Sequence, residues 1–504
     1  EKKQYVHGRG DRKMKLYLKG HDLKFAAQQM YMCLFPNSHA SFAEDEPVDG
    51  CFIISEMHTE KDGIRCSATV HINGEAGGNA SVFETTCGCD ENETKRRMSR
   101  AVKNSLYRAC VPMLEKPPLW GALTGIRPSK VAARYLTEGL SAEKSAAKMT
   151  EDYYVSPKRA QLAVKCAMHA KKVSENSKKL DFSLYVGIPF CASRCRYCSF
   201  VSHSVEKAGH LIAPYLDMLE YELKMLGKTA SDNGLKLRSV YVGGGTPTSL
   251  SAEELLRVMT VIRNNFDVSD CDEYTVEGGR PDTISREKIE VIRDMGASRI
   301  SVNPQTMNDD ILKAMDRRHT AEDVVKIVEN VRALSGLEIN TDLIAGLPGD
   351  NIESFRRTVE EVIALNPENI TVHSLALKKG SFLRQEKYLL PTNDTTAEMV
   401  EYAMNALAKA GYEPYYLYRQ KYMSGNLENV GYSKPGCECL YNSYIMDELH
   451  TIISAGAGGV TKLIDREKSI IKRIFNPKYP YEYNKAKEKT NSTRNEINTF
   501  FSGI

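Results

Sequence analysis

The stretch Leu184-Tyr-Val-Gly-Ile-Pro-Phe-Cys191-Ala-Ser-Arg-Cys195-Arg-Tyr-Cys198 joins an apolar run to three cysteines spaced C-x3-C-x2-C. Three thiolates can hold a cubic 4Fe-4S cluster by three of its irons and leave the fourth iron open to a ligand, whereas four protein ligands suit plain electron transfer. Zinc asks for four ligands, usually as two separated pairs, and no second pair stands at that distance; His203 is the only nearby addition. A disulfide framework does not suit a chain of 504 residues whose 13 cysteines are mostly scattered singly. The spacing therefore reads as a catalytic cluster loop set directly after a strand.

Outward from this loop, residues 183–375 repeat one pattern: a short β-branched or apolar run, a Gly/Pro-rich turn, then a stretch of helical periodicity. The runs fall at 184–188, 239–243, 274–278, 299–303, 338–344 and 370–375. Helices are expected near 210–226, from Ser251, near 286–295, 321–334 and 352–365. Ser251-Ala-Glu-Glu254 has the form of a capping box. Strands alternating with helices make parallel βαβ units, and six of them make a partial (β/α)6 barrel of the α/β class. Chemistry in such barrels gathers at the carboxyl ends of the strands. The cysteines follow the first strand, Gly243-Gly-Gly245-Thr-Pro247 the second, Glu277-Gly-Gly-Arg280-Pro the third, Asn303-Pro-Gln305 the fourth and Gly346-Leu-Pro-Gly349 the fifth, so every distinctive loop falls on one rim.

Residues 1–180 are expected to form an α+β accessory domain, with a strand at 67–72, a long helix at 94–113 and a polar basic edge at 171–179. Residues 181–384 form the βα core, and 385–504 a mainly helical C-terminal domain whose last 30 or so residues, polar and rich in Lys, Glu and Asn, read as loosely ordered. A composition of 42% hydrophobic and 26% charged residues with net charge +3 is too mild to argue for nucleic acid. No apolar run approaches the roughly 18 residues that cross a bilayer, and the start lacks a signal-peptide layout, so a cytoplasmic monomer without membrane or nucleic-acid partners is expected.

The triple glycine lets main-chain groups approach a ligand closely, but lacks the spacing and acidic residue of a dinucleotide fingerprint. Glu277, Gln305, Arg317 and Asp342 fall at or soon after strand ends, where polar groups can converge on a ligand. Asp342 stands out, because Thr341-Asp342-Leu-Ile puts a carboxylate in an apolar strand and buried acids are costly unless paired. Cys87-Gly-Cys89 and Cys437-Glu-Cys439 have no partners at metal-ligand spacing and read as inert thiols. His373 reads as a hydrogen-bonded core histidine, and the tyrosines after Tyr412 as packing surface.

Tyr185-Val-Gly-Ile-Pro-Phe-Cys191 with Cys195 and Cys198, Gly243-Gly-Gly-Thr-Pro-Thr248, Thr275-Val-Glu-Gly-Gly-Arg-Pro-Asp-Thr283 and Asp342-Leu-Ile-Ala-Gly-Leu-Pro348 resemble the radical S-adenosylmethionine (SAM) superfamily. Within it they are similar to the oxygen-independent coproporphyrinogen III oxidases, the HemN-like group. Leu123-Thr-Gly-Ile-Arg-Pro-Ser129, Tyr418-Arg-Gln-Lys-Tyr-Met423 and Asn426-Leu-Glu-Asn-Val-Gly-Tyr432 resemble its HemZ branch. The resemblance implies that Cys191, Cys195 and Cys198 ligate the cluster, that the SAM amine and carboxylate chelate the open iron, and that SAM meets Tyr185, Gly244 and Glu277. It further implies a second SAM at Tyr197, Ser199, Gly245, Thr246, Gln305, Arg317, Asp342 and Ala376. Ser199 and Gly278 depart from the commoner residues of the group.

The implied reaction is oxidoreductive: a 5'-deoxyadenosyl radical attacks the propionates of coproporphyrinogen III, which become vinyls with loss of CO2, giving protoporphyrinogen IX. The implied partners are a tetrapyrrole substrate and an external one-electron donor. Cationic partners for the propionates are sought in Arg280, Arg419, Lys421 and Lys434. Two other functions share the core motifs. One is the haem-binding chaperone role of HemW relatives, whose His-Asn-x-x-Tyr-Trp element is replaced here by Tyr441-Asn-Ser-Tyr-Ile445. The other is methyl transfer to, or opening of, another tetrapyrrole.

Overall fold

The structure, a computed structural model, describes residues 14–35, 40–73, 75–200, 202–334, 336–388, 390, 393–420 and 423–503. It divides into two compact units, Glu1–Lys165 with Arg419–Leu427, and Cys166–Tyr418 with Glu428–Ile504.

The first unit is built on a five-stranded sheet in which Phe52–Glu60, Gly63–Ile72 and Glu75–Thr85 form an antiparallel meander and Lys15–Lys19 runs parallel to Phe52–Glu60. The expected strand at 67–72 is the second half of Gly63–Ile72. Helices Lys24–Leu34 and Glu91–Cys110 bring Met30, Val102 and Leu106 against Leu16, Ile53 and Val70 of the sheet in one core. The long helix starts three residues earlier than its apolar pattern, because the Asp90 side chain accepts the Glu93 amide at 2.7 Å. Such a cap is worth about 1 kcal/mol.

The second unit holds six parallel strands, β1 (Asp181–Ile188), β2 (Lys236–Gly244), β3 (Glu273–Gly279), β4 (Arg299–Val302), β5 (Glu338–Ala345) and β6 (Asn369–Ser374), hydrogen-bonded to one another in chain order. The helices α1 (Ile212–Asp232), α2 (Ala252–Asn265), α3 (Arg286–Asp294), α4 (Ala321–Leu334) and α5 (Ile352–Ala364) separate them. The six-unit partial barrel expected from the repeat is what forms. The capping box at Ser251 and Glu254 is present in both of its hydrogen bonds. Helix α1 runs six residues past the expected 226, since Gly227, Thr229 and Ala230 continue its buried face.

The C-terminal part adds strands as well as helices. β7 (Glu413–Tyr418) and β8 (Asn429–Ser433) extend the sheet antiparallel beyond β6, while β9 (Thr451–Ala455) lies parallel to β1 and carries β10 (Val460–Asp465) and β11 (Ile470–Phe475). The tail is not loose: helices Pro480–Tyr483 and Lys487–Ser502 pack on α1 with Tyr483 and Ile497 buried. The reason is Glu222 on α1, whose buried carboxylate accepts the Gly456 amide (2.8 Å), Asn476 Nδ2 (2.9 Å) and the Tyr483 hydroxyl. An acid at that depth needs such donors, and all three come from the C-terminal part.

Side chains alternate along each barrel strand. Leu184, Val186, Val240, Val242, Val276, Ile300, Val302 and Ile339 belong to the apolar core shared with the helices. The alternate positions point into the lumen and are polar: Ser183 and Tyr185, Tyr241, Glu273 and Glu277, Arg299, Asn340 and Asp342. At the amino ends of the strands these groups pair with one another. Arg299 lies 3.4 Å from Glu273 Oε2, reaches Glu338, and donates to Asn340 Oδ1 (2.7 Å). Glu273 in turn accepts the amides of Leu440 (2.8 Å) and Tyr441 (3.3 Å), which open the helix Leu440–Asp447. Breaking a buried pair by removing one partner costs about 3–5 kcal/mol. Arg299→Ala is therefore expected to lower the urea midpoint of this unit by a corresponding amount, and a midpoint unchanged from wild type would show that the network holds nothing together.

Candidate cofactor site at the carboxyl end of the barrel

The cysteine loop begins where Phe190–Cys191 leaves β1. Gly245 N and Thr246 N donate to Ile188 O and Phe190 O, both at 2.8 Å, and tie the glycine loop after β2 to it. A side chain at 245 would not fit, because a Cβ there would meet Phe190 O at 2.6 Å and Cys191 Sγ at 3.0 Å. Gly244 has φ 111°, a conformation that L side chains rarely adopt. The glycines expected to allow close approach do so against the cysteine loop itself.

Cys191 and Cys195 are buried and Cys198 is half-buried; all three are free thiols. Thr246 Oγ1 lies 3.4 Å from Cys191 Sγ, and Arg317 Nη1 lies 3.7 Å from Cys195 Sγ. Burial pushes the Cys198 thiol up to about 12, with further contributions from Cys195 and Cys191. Burial also raises Cys191, partly offset by the Thr246 hydroxyl and by Arg280. Three soft donors within electrostatic reach of one another, with a hydroxyl and a guanidinium turned to their sulfurs, form a donor set suited to an iron-sulfur cluster.

Inside the rim, Tyr241 donates to Glu277 Oε1 at 2.6 Å and the Gly244 amide donates to Oε2 at 3.1 Å. Burial pushes the Glu277 carboxyl up to about 7; the Tyr241 hydrogen bond opposes this and Asp342 adds to it. Tyr185, Tyr241 and Tyr441 stack in the lumen, with Tyr241 and Tyr441 centroids 4.5 Å apart and Tyr185 6.3 Å from each. Asp342 is half-buried in the lumen, its Oδ1 3.8 Å from His373 Nε2, so His373 faces the site rather than the core. Gln305 adopts φ 70° and bridges to β5, donating to Asp342 O and accepting from Ile344 N, both at 2.9 Å. This strained backbone fixes the loop after β4 beside Asp342.

Arg317 joins the two halves of the rim: Nη1 donates to Tyr197 Oη at 2.9 Å and Nη2 to Asn303 O at 2.5 Å. Tyr197 packs beside Leu347 and Leu375. Ser199 lies against Gly380, where a Cβ would meet Ser199 O at 2.9 Å, and Ala376, half-buried, lies two residues beyond β6.

Of the residues considered for propionates, Arg280 reaches the rim but is engaged, pairing with Asp282 at 2.8 Å and donating to Ser193 of the cysteine loop. Lys434 sits at the other end of the barrel, donating to Asn366 O at 2.8 Å before β6 begins. Arg419 belongs to the first unit, where its guanidinium donates to Leu123 O and Asn426 O (2.7 Å) and covers Trp120 at 5.5 Å. These contacts make Arg419 an internal brace of the first unit and place Lys434 at the amino end of the barrel strands, away from the rim. Lys421 lies outside the described residues. Sequence reasoning missed Tyr241, Tyr441, Asp282 and His319. Tyr241 was signalled by its alternation with Val240 and Val242, while the other three gave no local signal.

A model of the radical SAM superfamily matches residues 185–362. The oxygen-independent coproporphyrinogen-III oxidase-like protein HemZ of Bacillus subtilis (strain 168) is 35% identical over 470 residues, 92% of either chain. The chain belongs to this HemZ-like family of radical SAM proteins. Family membership brings a 4Fe-4S cluster and SAM as cofactors. The haem chaperone HemW of Lactococcus lactis is 36% identical over 282 residues, 55% of this chain and 69% of its own. Among solved structures, the coproporphyrinogen III oxidase HemN from Escherichia coli aligns with a TM-score of 0.51 at 23% identity, covering 64% of this chain and 73% of that one, a likeness of fold.

The Glu277 carboxyl gives a pH test of the site. Its pKa is raised on folding, so the native state holds a proton that the unfolded chain releases, and its contribution to stability falls as pH rises from about 4.3 to about 7. Urea midpoints measured across that window are expected to decline more steeply in wild type than in Glu277→Gln. Parallel curves would refute the buried, protonated carboxyl.

Proposed function

We propose that this chain catalyses the oxygen-independent oxidative decarboxylation of coproporphyrinogen III to protoporphyrinogen IX. In this reading Cys191, Cys195 and Cys198 hold the cluster, Tyr185, Gly244 and Glu277 meet the first SAM, and Tyr197, Ser199, Gly245, Thr246, Gln305, Arg317, Asp342 and Ala376 meet a second. The observation that carries it is the convergence of the cysteine loop, the glycine loop, Glu277 and Asp342 on one rim, in a chain 35% identical across 92% of its length to a coproporphyrinogen-III oxidase-like protein.

When bound, the cluster and SAM supply one-electron chemistry and the hydrogen-abstracting radical. The chain's own residues do the rest. The Gly244 amide and Tyr241 hydroxyl fix the Glu277 carboxylate, which receives the SAM amine. Arg317 and Thr246 donate toward the thiolates, and the stacked tyrosines fill the lumen below and keep water from the reacting atoms. Each of the two reacting propionates loses one hydrogen atom, CO2 and one electron to become a vinyl; the electron leaves to an external one-electron acceptor, and a reduced carrier supplies the electron that starts each turnover. The work is that of a cytoplasmic enzyme acting on a free tetrapyrrole; among the described residues no helix is long and apolar enough to cross a membrane.

The test is anaerobic reconstitution with iron, sulfide, SAM, reductant, an electron acceptor and coproporphyrinogen III, with products followed by mass spectrometry. Loss of two CO2 and four hydrogens is expected. A methylated or ring-opened product, or tight haem binding without turnover as the HemW likeness would have it, would sink the proposal. Cys195→Ala is expected to abolish both the visible absorbance of the cluster and SAM cleavage. Retention of either one removes Cys195 from the ligand set.

A further inference from the structure

Two groups at the carboxyl end of the barrel stand outside the cofactor set: the ring of Phe200 and the ammonium of Lys378. Phe200 follows the last cysteine of the loop by two residues and is 64% exposed. Its backbone is held in place, because the Phe200 amide donates to the Cys198 sulfur. Lys378 is half-buried on the loop after β6, four residues past Ser374.

The two segments adjoin. Arg194 of the cysteine loop donates to Gly380 O, Leu383 N donates to Arg196 O at 3.1 Å, and Gly380 comes so close to Ser199 that a Cβ would meet Ser199 O at 2.9 Å. Leu375 and Leu377 of the same loop pack with Tyr197 and Leu383 in one apolar cluster. Ser381 closes the turn by donating its amide and its hydroxyl to Lys378 O, at 3.0 and 2.9 Å, which fixes the backbone from which the lysine side chain leaves.

Among the described residues the Lys378 ammonium has no ion pair and no hydrogen bond, and Cys198 is the one ionisable group that bears on it. Burial holds the ammonium below the usual lysine range, and Cys198 opposes this. Neighbouring cations are engaged: Arg196 pairs with Glu386 at 2.5 Å, and Arg194 lies 4.7 Å over the Phe382 ring. A half-buried cation without a counter-charge lacks compensation for its lost water, and an exposed phenyl ring lacks apolar contact. In isolation neither would signify, since a lysine head can reach back to water and single exposed rings are common. Here both stand beside the last cysteine of the cluster loop, and one ligand that carries a carboxylate on an apolar body answers both.

We propose that Lys378 and Phe200 are the substrate receptor of this rim, the ammonium taking a propionate carboxylate by a charge-assisted hydrogen bond and the ring covering the apolar macrocycle next to it. The assignment rests on the tetrapyrrole reading of the site given above, and it adds a rim cation to those considered from the sequence.

The experiment is anaerobic titration of the reconstituted, SAM-loaded full chain with coproporphyrin III, a tetracarboxylate that does not turn over, followed by quenching of porphyrin fluorescence. A tetracationic N-methylpyridyl porphyrin serves as the flat probe without carboxylates. Wild type is expected to bind coproporphyrin III saturably and about tenfold or more tighter than the cationic porphyrin. Lys378→Met is expected to weaken coproporphyrin III binding by about tenfold or more, Lys378→Arg by less than about threefold, and Phe200→Ser, whose ring lies outside the core, by about threefold or more. Lys378→Met is also expected to keep the visible absorbance of the cluster; its loss would show that the lysine balances the charge of the cluster and would overturn the proposal. Unchanged affinity in Lys378→Met or in Phe200→Ser, equal binding of the cationic porphyrin, or no saturable binding by wild type overturns it too. Decarboxylation is read separately, by mass spectrometry. Turnover of coproporphyrinogen III with wild-type affinity in the variants refutes the receptor alone, whereas carboxylate-dependent binding that Lys378→Met abolishes, without turnover by wild type, refutes the decarboxylation alone.

Discussion

Polar groups withdrawn from water must find partners, and the lumen of this barrel holds a column of them from floor to rim. At the floor, Glu273 and Arg299 answer one another and Glu273 takes the first amides of the helix Leu440–Asp447. Beside them Ser183 is hydrogen-bonded to Ser239 at 2.6 Å and to His450 Nε2 at 2.8 Å. His450 is driven down to about 3 by its burial, so the floor keeps it neutral. At the rim, Glu277 is met by Tyr241 and Gly244. Residues from the C-terminal part close the floor, and the rim carries the cysteine and glycine loops. An all-apolar lumen would be easier to fill, but it would offer no polar group to a ligand.

What could be read from the sequence was what local chemistry encodes. The C-x3-C-x2-C loop, the triple glycine and the Ser251 capping box each announce themselves within a few residues, and the barrel follows from the repeated alternation of strand and helix. Asp342 was singled out because a carboxylate between Thr341 and Leu343 violates the apolar pattern of its strand; its place in the lumen is the reason for that violation. His373 was misread for the complementary reason, since an isolated histidine in an apolar strand looks the same whether it faces helices or lumen.

The rest depended on contacts across long stretches of chain. Tyr441 stacks on Tyr241 across 200 positions, and Tyr483 reaches Glu222 across 261. No periodicity links the two ends of such a pair. The tail looked loose because its composition is polar, yet one buried acid on α1 draws two donors from it, Asn476 and Tyr483. The partners of two cations sought for propionates were hidden in the same way. Arg419 and Lys434 look like free charges in the sequence, and their carbonyl partners, Leu123 O and Asn366 O, lie 296 and 68 residues away.

Arg317 draws the two faces of the cysteine loop into one electrostatic problem. Its guanidinium is buried, and among the described residues no carboxylate lies within ion-pair distance of it; its partners are a tyrosine hydroxyl, a backbone carbonyl and the Cys195 sulfur. A buried cation without a counter-charge costs several kcal/mol, and neutral acceptors offset only part of that. Ligating a cluster requires the thiols to deprotonate, and burial raises the pKa of Cys191 and Cys198 against that change. The two costs cancel one another. An arginine that lacks an anion and thiols that resist becoming anions are each destabilising alone, and a cluster held by thiolates relieves both at once. The position of Arg317 is the reason a residue 122 positions beyond Cys195 belongs to the cysteine motif as much as the glycines do.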